Sequence, residues 1–457
     1  MNSQNNMHKV SFLEKLGFAT YSTASNVVFN FVDLFYLFFL TNVMGIKIAH
    51  AGYIILIGII WDAINDPLVG FWSINHRFKS GETCRPLAFW CAIPWAITTV
   101  LMFTCFDFSY AMKLVTAIMI YLVFELVNTL GDIPYTSMAG LATSLDSERR
   151  AINAARNLGA GVGSAIGSVA LYPLLNLFHG LDSDGNILPG KLGESAFFKA
   201  SIVIGVVCII GCLFHYFTTK ERIQPISTEH IKLKMKTVIR TLLSCRSWIM
   251  NMLFVVCYYV LNLLVMSTIN YYATYVLGSS AAATPILAAF LVVSLIATIV
   301  SIPIDKALGR KKTMILATII HMLGKIWFII SPYSLGAIYV NAMCVGFSTA
   351  LAYVAFNTNR NSIADLLEWK GGKRIDGIVA TSENFVSKFS KAGVNLLMTT
   401  SLAVAGFNAE LPAQPDKAIH VLIHLLGIVP FFVAALMFLV SAFHPIEKEV
   451  AEMNSSK

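Results

Sequence analysis

The sequence predicts an all-α integral membrane protein with twelve transmembrane helices. The chain of 457 residues is 56% hydrophobic and only 13% charged, whereas soluble domains contain about 25% charged residues. Apolar runs of about 20 residues, the length that crosses a bilayer, recur along the whole chain. Lys and Arg concentrate in alternate connecting segments, which is typical of a protein that crosses a membrane many times.

Twelve apolar segments are predicted as spanning helices, and a long polar segment separates the sixth from the seventh. The first apolar run is too long for a signal peptide, so no cleaved leader is expected. In chain order the segments are Leu16–Met44, His50–Trp72, Pro86–Phe106, Met112–Gly140, Ile152–Phe178, Phe197–Phe217, Trp248–Leu277, Thr284–Ile304, Thr313–Ile330, Leu335–Ile363, Asp376–Ala405 and Ala418–Phe443.

The polar segment divides the chain into two predicted bundles of six helices. Residues 1–217 form the first, 248–457 the second, and 218–247 a cytoplasmic middle loop. Within the loop, Ile231–Leu243 mixes basic and apolar side chains, so it is either a helix on the membrane surface or a tether. Two similar inner loops, Asp66–Pro86 and Asp305–Thr313, support a transporter built from internal repeats.

The basic residues predict the orientation of the chain. Placing both termini in the cytoplasm puts most Lys and Arg on the cytoplasmic face of a cytoplasmic membrane, as the positive-inside rule requires. Because this charge is spread along one membrane face, the lipid bilayer rather than a nucleic acid is the expected partner. A monomer is expected. The predicted outer loops hold only Lys47, Lys113, Lys191, Lys199 and Lys417.

The second apolar segment carries the sharpest chemical signal. Asp62 and Asp66 stand four residues apart, so both carboxylates lie on one helix face with Asn65 beside them. Two such carboxylates repel each other unless a proton or a metal cation lies between them. Carboxylate and amide oxygens suit a hard cation such as Na⁺. The alternative is that the two acids pair with Arg156 or a lysine and only stabilise the bundle.

The first and fourth segments add polar groups at helical spacing. Asn26, Asn30 and Asp33 form a stripe that either binds solute hydroxyls or faces neighbouring polar helices. Thr129 offers a hydroxyl to a cation, and Asp132 offers a carboxylate to the cation or the solute.

Further charged and small residues lie within the apolar segments. The additional acids are Glu125 and Glu383, and the spacing of Gly159, Gly163 and Gly167 predicts close helix packing. Charges inside a membrane are costly and mark functional positions. The intramembrane bases are Arg156, Lys325, Arg360, Lys388 and Lys391.

Three motifs resemble those of the glycoside-pentoside-hexuronide:cation symporter family, the melibiose permease-like branch of the major facilitator superfamily. They are Trp61–Pro67, reading Trp-Asp-Ala-Ile-Asn-Asp-Pro, Gly131–Tyr135, reading Gly-Asp-Ile-Pro-Tyr, and Arg374–Gly377 followed by Lys388. The resemblance covers nearly the full length. It implies two six-helix bundles, alternating access and symport of a sugar or glycoside with Na⁺ or H⁺. Asn26 replaces a sugar-binding Asp of melibiose permease, so melibiose itself is not the expected solute.

The resemblance also assigns roles by matching position. It implies that Asp132 and Arg156 contact the sugar and that Lys388 lies close to both sites. The implied cation ligands are Asp62, Asn65, Asp66 and Thr129, with Na⁺ held by Asp62 and Asp66 if sodium is the coupling ion. No cofactor is expected beyond the transported Na⁺ or H⁺.

Other functions remain as alternatives. The intramembrane bases leave open an anionic hexuronide or glucuronide, and eukaryotic relatives of the family suggest an amphipathic, lysolipid-like solute. The sequence shows no nucleophile–base pair, metal quartet or nucleotide loop, which disfavours a membrane enzyme. It shows no soluble output domain, which disfavours a signalling receptor.

Overall fold

The computed structural model describes residues 9–143, 145–223, 242–371, 376–411 and 413–455. Over these ranges the regular structure is helical, and the β contacts reduce to one isolated bridge between Leu181 and Ile187. Two compact units divide the chain. The N-terminal unit is Met1–Glu229 with Ser279–Thr284 and Asn408–Pro412, and the C-terminal unit is His230–Gly278 with Pro285–Phe407 and Ala413–Lys457.

The N-terminal unit contains seven α-helices within the described residues. Ser11 caps the first, accepting a hydrogen bond from the backbone N–H of Glu14 at 3.2 Å. The fifth predicted segment forms two helices, because Leu171–Leu177 is a separate short helix bent by 51° relative to the helix before it. The helices are α1 Phe12–Asn42, α2 Ile48–Asn75, α3 Arg85–Met102, α4 Tyr110–Ala142, α5 Asp146–Val169, α6 Leu171–Leu177 and α7 Lys191–Thr218.

Helix α5 packs against α1 through small residues. A Cβ atom at Gly163 would overlap the backbone oxygen of Thr23, and a Cβ at Gly167 would lie 2.5 Å from the backbone oxygen of Val27. Only glycine permits the two backbones to approach this closely. The packing predicted from the glycine spacing is therefore confirmed.

The residues that follow α7 connect the ends of three other helices. Arg222 forms a two-pronged ion pair with Glu14 of α1, at 2.6 and 2.9 Å. Glu221 accepts hydrogen bonds from the backbone N–H groups of Cys84 and Arg85 at the start of α3, at 2.6 and 2.5 Å. The backbone N–H of Arg222 donates to Leu141 near the end of α4. One short segment thereby satisfies polar groups at several helix termini.

The C-terminal unit contains eight α-helices within the described residues. Its apolar core includes Phe254, Leu261, Met314, Leu351 and Met437. The helices are α8 Arg246–Tyr275, α9 Ala283–Leu308, α10 Arg310–Ile330, α11 Leu335–Gly371, α12 Asp376–Val404, α13 Asp416–Leu426, α14 Ile428–Ala442 and α15 Ile446–Ser455.

The last predicted span is broken at Gly427, between α13 and α14. Lys325 of α10 is fully buried, and its Nζ donates to the backbone oxygen of Leu426 at 2.9 Å. This carbonyl lies in the last turn of α13, where it lacks an intrahelical partner, and a lysine there also interacts favourably with the helix dipole. The intramembrane Lys325 thus has a structural role at the break.

The chain is an all-α membrane protein, and each predicted segment coincides with a helix or a pair of helices. Among the described residues, ten helices are long and apolar enough to cross a membrane, or eleven if α5 and α6 count as one span. The remaining candidate, α12, carries Glu383, Lys388 and Lys391. The count of twelve spans stays a prediction, as do the domain boundaries at 217 and 247.

Two sequence features fall mainly outside the described residues. The basic and apolar segment Ile231–Leu243 is described only from Leu242 onward. In the motif Arg374–Gly377, the first two residues are not described. The roles suggested for these features stay predictions.

Candidate functional site

The predicted cation ligands of α2 and α4 meet inside the N-terminal unit. Thr129 Oγ1 lies 3.5 Å from Asp62 Oδ1 and 3.3 Å from Asp66 Oδ1. The same hydroxyl lies 2.9 Å from the backbone oxygen of Glu125, one turn earlier on α4. Thr129 is 3% exposed, while Asp62 and Asp66 are partly buried. The structure therefore brings three of the four predicted cation ligands together.

The Thr129 hydroxyl has more oxygen neighbours than its single hydrogen can serve. A hydroxyl supplies one hydrogen and two acceptor lone pairs. If the hydrogen points to the Glu125 carbonyl, the lone pairs face the carboxylates of Asp62 and Asp66. Oxygen atoms in that arrangement repel each other unless a positive charge lies among them. The arrangement is chemically suited to a proton or a hard cation such as Na⁺.

Asn65, the fourth predicted cation ligand, lies within the same turn of α2. Asn65 is 1% exposed, and among the described residues neither its amide nitrogen nor its amide oxygen has a hydrogen-bond partner. A buried amide without a partner costs roughly 1–3 kcal/mol. The oxygen of such an amide is chemically able to act as a ligand for a hard cation.

The predicted solute-binding residues of α4 and α5 lie next to this group. Ser25 Oγ of α1 donates to Asp132 Oδ1 at 3.1 Å. The guanidinium carbon of Arg156 lies 4.5 Å from the ring centroid of Tyr135, a cation–π contact. Asp132 is within electrostatic range of both Arg156 and Asp66. Asp132 thus interacts electrostatically with one predicted cation ligand, Asp66, and with one predicted solute ligand, Arg156.

Arg156 uses one guanidinium nitrogen for hydrogen bonds to α4 and α5. Its Nη1 donates to the backbone oxygen of Thr136 at 3.2 Å and to Asn153 Oδ1 at 3.5 Å. Arg carries five N–H donors, so most of its hydrogen-bonding capacity remains after these two contacts are counted. The guanidinium is consequently well suited to bind hydroxyl or carboxylate oxygens of a solute.

Two members of the predicted α1 stripe face α5. Asn30 Nδ2 donates to Ser164 Oγ at 3.0 Å, and Ser164 Oγ lies 3.4 Å from Asn26 Oδ1. Asn26 and Asn30 also donate to backbone oxygens one turn earlier on α1. These contacts favour helix packing as one role of the stripe. A role in solute binding stays a prediction.

The contacts described above involve neither Asp33 nor Lys388. Asp33 is partly buried farther along α1, within electrostatic range of Tyr121. Lys388 is partly buried on α12 of the C-terminal unit. The proximity of Lys388 to the cation and solute residues stays a prediction.

The structure adds residues that sequence reasoning did not assign to the site. Ser25 donates a hydrogen bond to Asp132, and the Tyr135 ring contacts the Arg156 guanidinium. Ser164 contacts the side chains of both Asn26 and Asn30. Tyr135 belongs to the motif Gly131–Tyr135, so the sequence already contained a signal for this residue. Ser25 and Ser164 are single small residues in apolar helices, and nothing in their spacing distinguishes them.

Comparisons with known proteins identify the family of the chain. The profile of the family described as "MFS/sugar transport protein" matches residues 17–448. The inner membrane symporter YicJ of Escherichia coli K12 is 28% identical over 95% of this chain and 90% of its own length. The isoprimeverose transporter of Lactiplantibacillus pentosus is 26% identical over 91% and 85%.

A solved structure supports the fold. The crystal structure of a bacterial homologue of the human lysosomal transporter Spinster aligns with a TM-score of 0.69, covering 96% of this chain and 97% of that one. At 14% sequence identity, this likeness concerns the fold alone.

Proposed function

The chain belongs to the MFS/sugar transport family, and on that premise we propose that it is a symporter that carries a sugar or glycoside together with Na⁺ or H⁺. It is thus a membrane transporter and not an enzyme. The observation that carries the proposal is the position of Thr129 Oγ1 between the carboxylates of Asp62 and Asp66, at 3.5 and 3.3 Å. Relatives described as symporters, and one described as an isoprimeverose transporter, support it.

In this proposal Asp62, Asn65, Asp66 and Thr129 hold the coupling cation. Both carboxylates are ionised when the cation is Na⁺, whereas the pair shares a proton when the cation is H⁺. The unsatisfied Asn65 amide oxygen completes the oxygen set for Na⁺ more readily than for a proton. Either cation removes the repulsion between the two acids.

The solute occupies the adjoining polar residues of the same unit. Asp132 accepts hydrogen bonds from sugar hydroxyls, and Arg156 donates to sugar oxygens. The Tyr135 ring and Ser25 position these two groups through the contacts described above. Asn26, Asn30 and Asp33 extend the hydroxyl-binding surface along α1, and Lys388 contributes from the C-terminal unit.

Coupling follows from the electrostatic link between the two groups of residues. Asp132 interacts electrostatically with both Asp66 and Arg156. A cation that neutralises Asp66 therefore changes the electrostatic potential at Asp132, where the solute binds. Each ligand then favours binding of the other, and the pair reorients together by alternating access. One positive charge moving inward through 100 mV supplies about 2.3 kcal/mol, enough for roughly 50-fold accumulation of a neutral solute.

The proposed setting is the cytoplasmic membrane, with both termini in the cytoplasm. The basic residues of the predicted inner loops support this orientation. The protein acts on a small molecule within the lipid bilayer, and a monomer suffices for the mechanism.

Uptake into proteoliposomes tests the proposal. Labelled glycosides and hexuronides would be screened with imposed Na⁺ or H⁺ gradients, and accumulation should follow one ion and one class of sugar. Absence of ion-driven uptake for every sugar would contradict it. In that case amphipathic, lysolipid-like solutes would be screened in the same vesicles.

A further inference from the structure

Two histidines lie one turn apart on α13 of the C-terminal unit, and neither belongs to the residues assigned to the cation or the solute. His420 and His424 stand four residues apart, so both imidazoles project from the same face of the helix. Their ring centroids are 6.4 Å apart, and the two ring planes differ by only 28°. Both residues are exposed, so packing into the apolar core does not account for either ring.

The two rings border a single cavity of about 190 Å³. Its lining also includes Pro332 and Tyr333, which follow α10, and Ile428 at the start of α14. The hydroxyl of the buried Tyr272 donates a hydrogen bond to the backbone oxygen of Pro332 and so fixes this part of the lining. Both imidazoles therefore face a common space that is already formed by the fold.

The ring nitrogens of this pair are available to a ligand. Over the described residues, neither His420 nor His424 forms a hydrogen bond to another protein group, and their contact is with each other. A neutral imidazole has one nitrogen with a free lone pair, which binds Zn²⁺, Cu²⁺ and Ni²⁺. Metal–nitrogen distances are about 2.0–2.1 Å, so two rings one helical turn apart reach one ion after small rotations of their side chains.

We propose that His420 and His424 bind a divalent transition-metal ion through two imidazole nitrogens, with water completing its coordination shell. Within the part of the chain that the structure describes, no third His, Cys, Asp or Glu joins the pair. Structural zinc sites have four protein ligands, so an ion held by two ligands should bind reversibly. The inference is independent of the proposed symport, because both ligands lie on one helix outside the residues assigned to transport.

The two-nitrogen ligand set predicts which ions bind. Imidazole favours Cu²⁺ over Ni²⁺ and Zn²⁺, whereas Mg²⁺ and Ca²⁺ prefer oxygen ligands. Purified full-length protein in detergent would be titrated calorimetrically with Cu²⁺, Zn²⁺ and Mg²⁺, and the histidine pair should bind the first most tightly and the last not at all. With less than one Cu²⁺ per protein, the electron paramagnetic resonance spectrum should show two nitrogen donors.

Single substitutions distinguish this pair from any other place where the ions bind. His420→Ala and His424→Ala each leave one ligand, and the loss of two-point attachment should weaken Zn²⁺ binding at this site by about 100-fold. The exposed His179 of the N-terminal unit provides the matched control. His179→Asn should leave Zn²⁺ binding unchanged, and asparagine tolerates the positive φ of 55° at this position.

Two results would overturn the inference. One is an unchanged Zn²⁺ titration in both alanine variants, and the other is a wild-type copper spectrum with fewer than two nitrogen donors. The spectrum needs no substitution, so it decides the question even if a variant fails to fold. Neither result bears on ion-driven sugar uptake, which is measured separately in proteoliposomes.

Discussion

Thr129 Oγ1 of α4 lies 3.3 Å from Asp66 Oδ1 of α2. The contact links residues that are 63 positions apart in the chain, and both are among the residues proposed to hold the coupling cation. The hydroxyl faces a second carboxylate, Asp62, as well as a backbone carbonyl. Carboxylate, hydroxyl and carbonyl oxygens gathered in this way suit a proton or a hard cation, and the first prediction concerns the loss of one carboxylate.

Replacing Asp66 by Asn should abolish ion-dependent accumulation. The substitution keeps the shape of the side chain but removes one of the two charges that attract the cation. Solute accumulation of roughly 50-fold at 100 mV should fall to simple equilibration. Uptake with and without a Na⁺ or H⁺ gradient measures this. Asp184→Asn, on an exposed loop, is the control; equal ion stimulation in both variants would contradict the assignment of Asp66.

Replacing Arg156 by Ala should weaken solute binding by about 10- to 100-fold. Hydrogen bonds to a charged group contribute about 1.5–3 kcal/mol, and 1.4 kcal/mol corresponds to a factor of ten. A binding titration with purified protein measures the loss. The exposed Arg77→Ala serves as the control. Retained affinity in the Arg156 variant would refute its role at the solute site.

Replacing Asn26 by Ala should weaken solute affinity more than ion affinity, if the stripe binds solute hydroxyls. Ser164→Ala is the informative companion, because it removes the contacts that join Asn26 to Asn30 without changing either amide. Solute and ion titrations on both variants distinguish the two roles. Equal losses of solute and ion affinity in Asn26→Ala would indicate that this residue acts through packing against α5.

Replacing Gly163 by Ala should prevent stable insertion of the N-terminal unit. The added methyl group would overlap the backbone of α1, which has no flexible end that can move away. Gly140→Ala, on α4, meets nothing within 4 Å and is the matched control. Yield and thermal stability of both variants in detergent measure the difference. Comparable stability would show that α1 and α5 separate at little cost.

Replacing Glu14 by Gln should lower the free energy of unfolding by about 3 kcal/mol, because the partly buried Arg222 loses its counter-charge. Thermal unfolding in detergent measures this. The comparison is Asp107→Asn, whose partner Lys191 and own side chain are 74% and 90% exposed. Exposed pairs contribute little, so this variant should unfold like the wild type.

The two pairs should also differ in their response to acid and salt. The hydrogen bond from Lys191 lowers the pKa of the Asp107 carboxyl. Its small contribution is therefore present at neutral pH and is lost as the pH falls through that lowered pKa. Salt should screen this exposed pair, whereas the enclosed Glu14–Arg222 pair should be much less affected.

The sequence by itself determined the class of protein and the approximate positions of its helices along the chain. Apolar runs long enough to span a bilayer leave few alternatives, because backbone groups in lipid must be satisfied within the segment. A charge inside such a run is costly, and this cost singled out Asp62, Asp66, Asp132 and Arg156 as candidate functional residues. Spacing along a single helix, as between Asp62 and Asp66, follows from the helical period.

Only the tertiary structure decided which residues of different helices meet. The contacts of Thr129 with α2 and Ser25 with Asp132, like the pairing of Arg360 with Glu383, depend on how helices pack and rotate against one another. Periodicity describes one helix at a time and contains no information on its partner. Ser25 and Ser164 are the clearest cases, because the role of a serine hydroxyl depends on which neighbour packing brings within hydrogen-bonding distance.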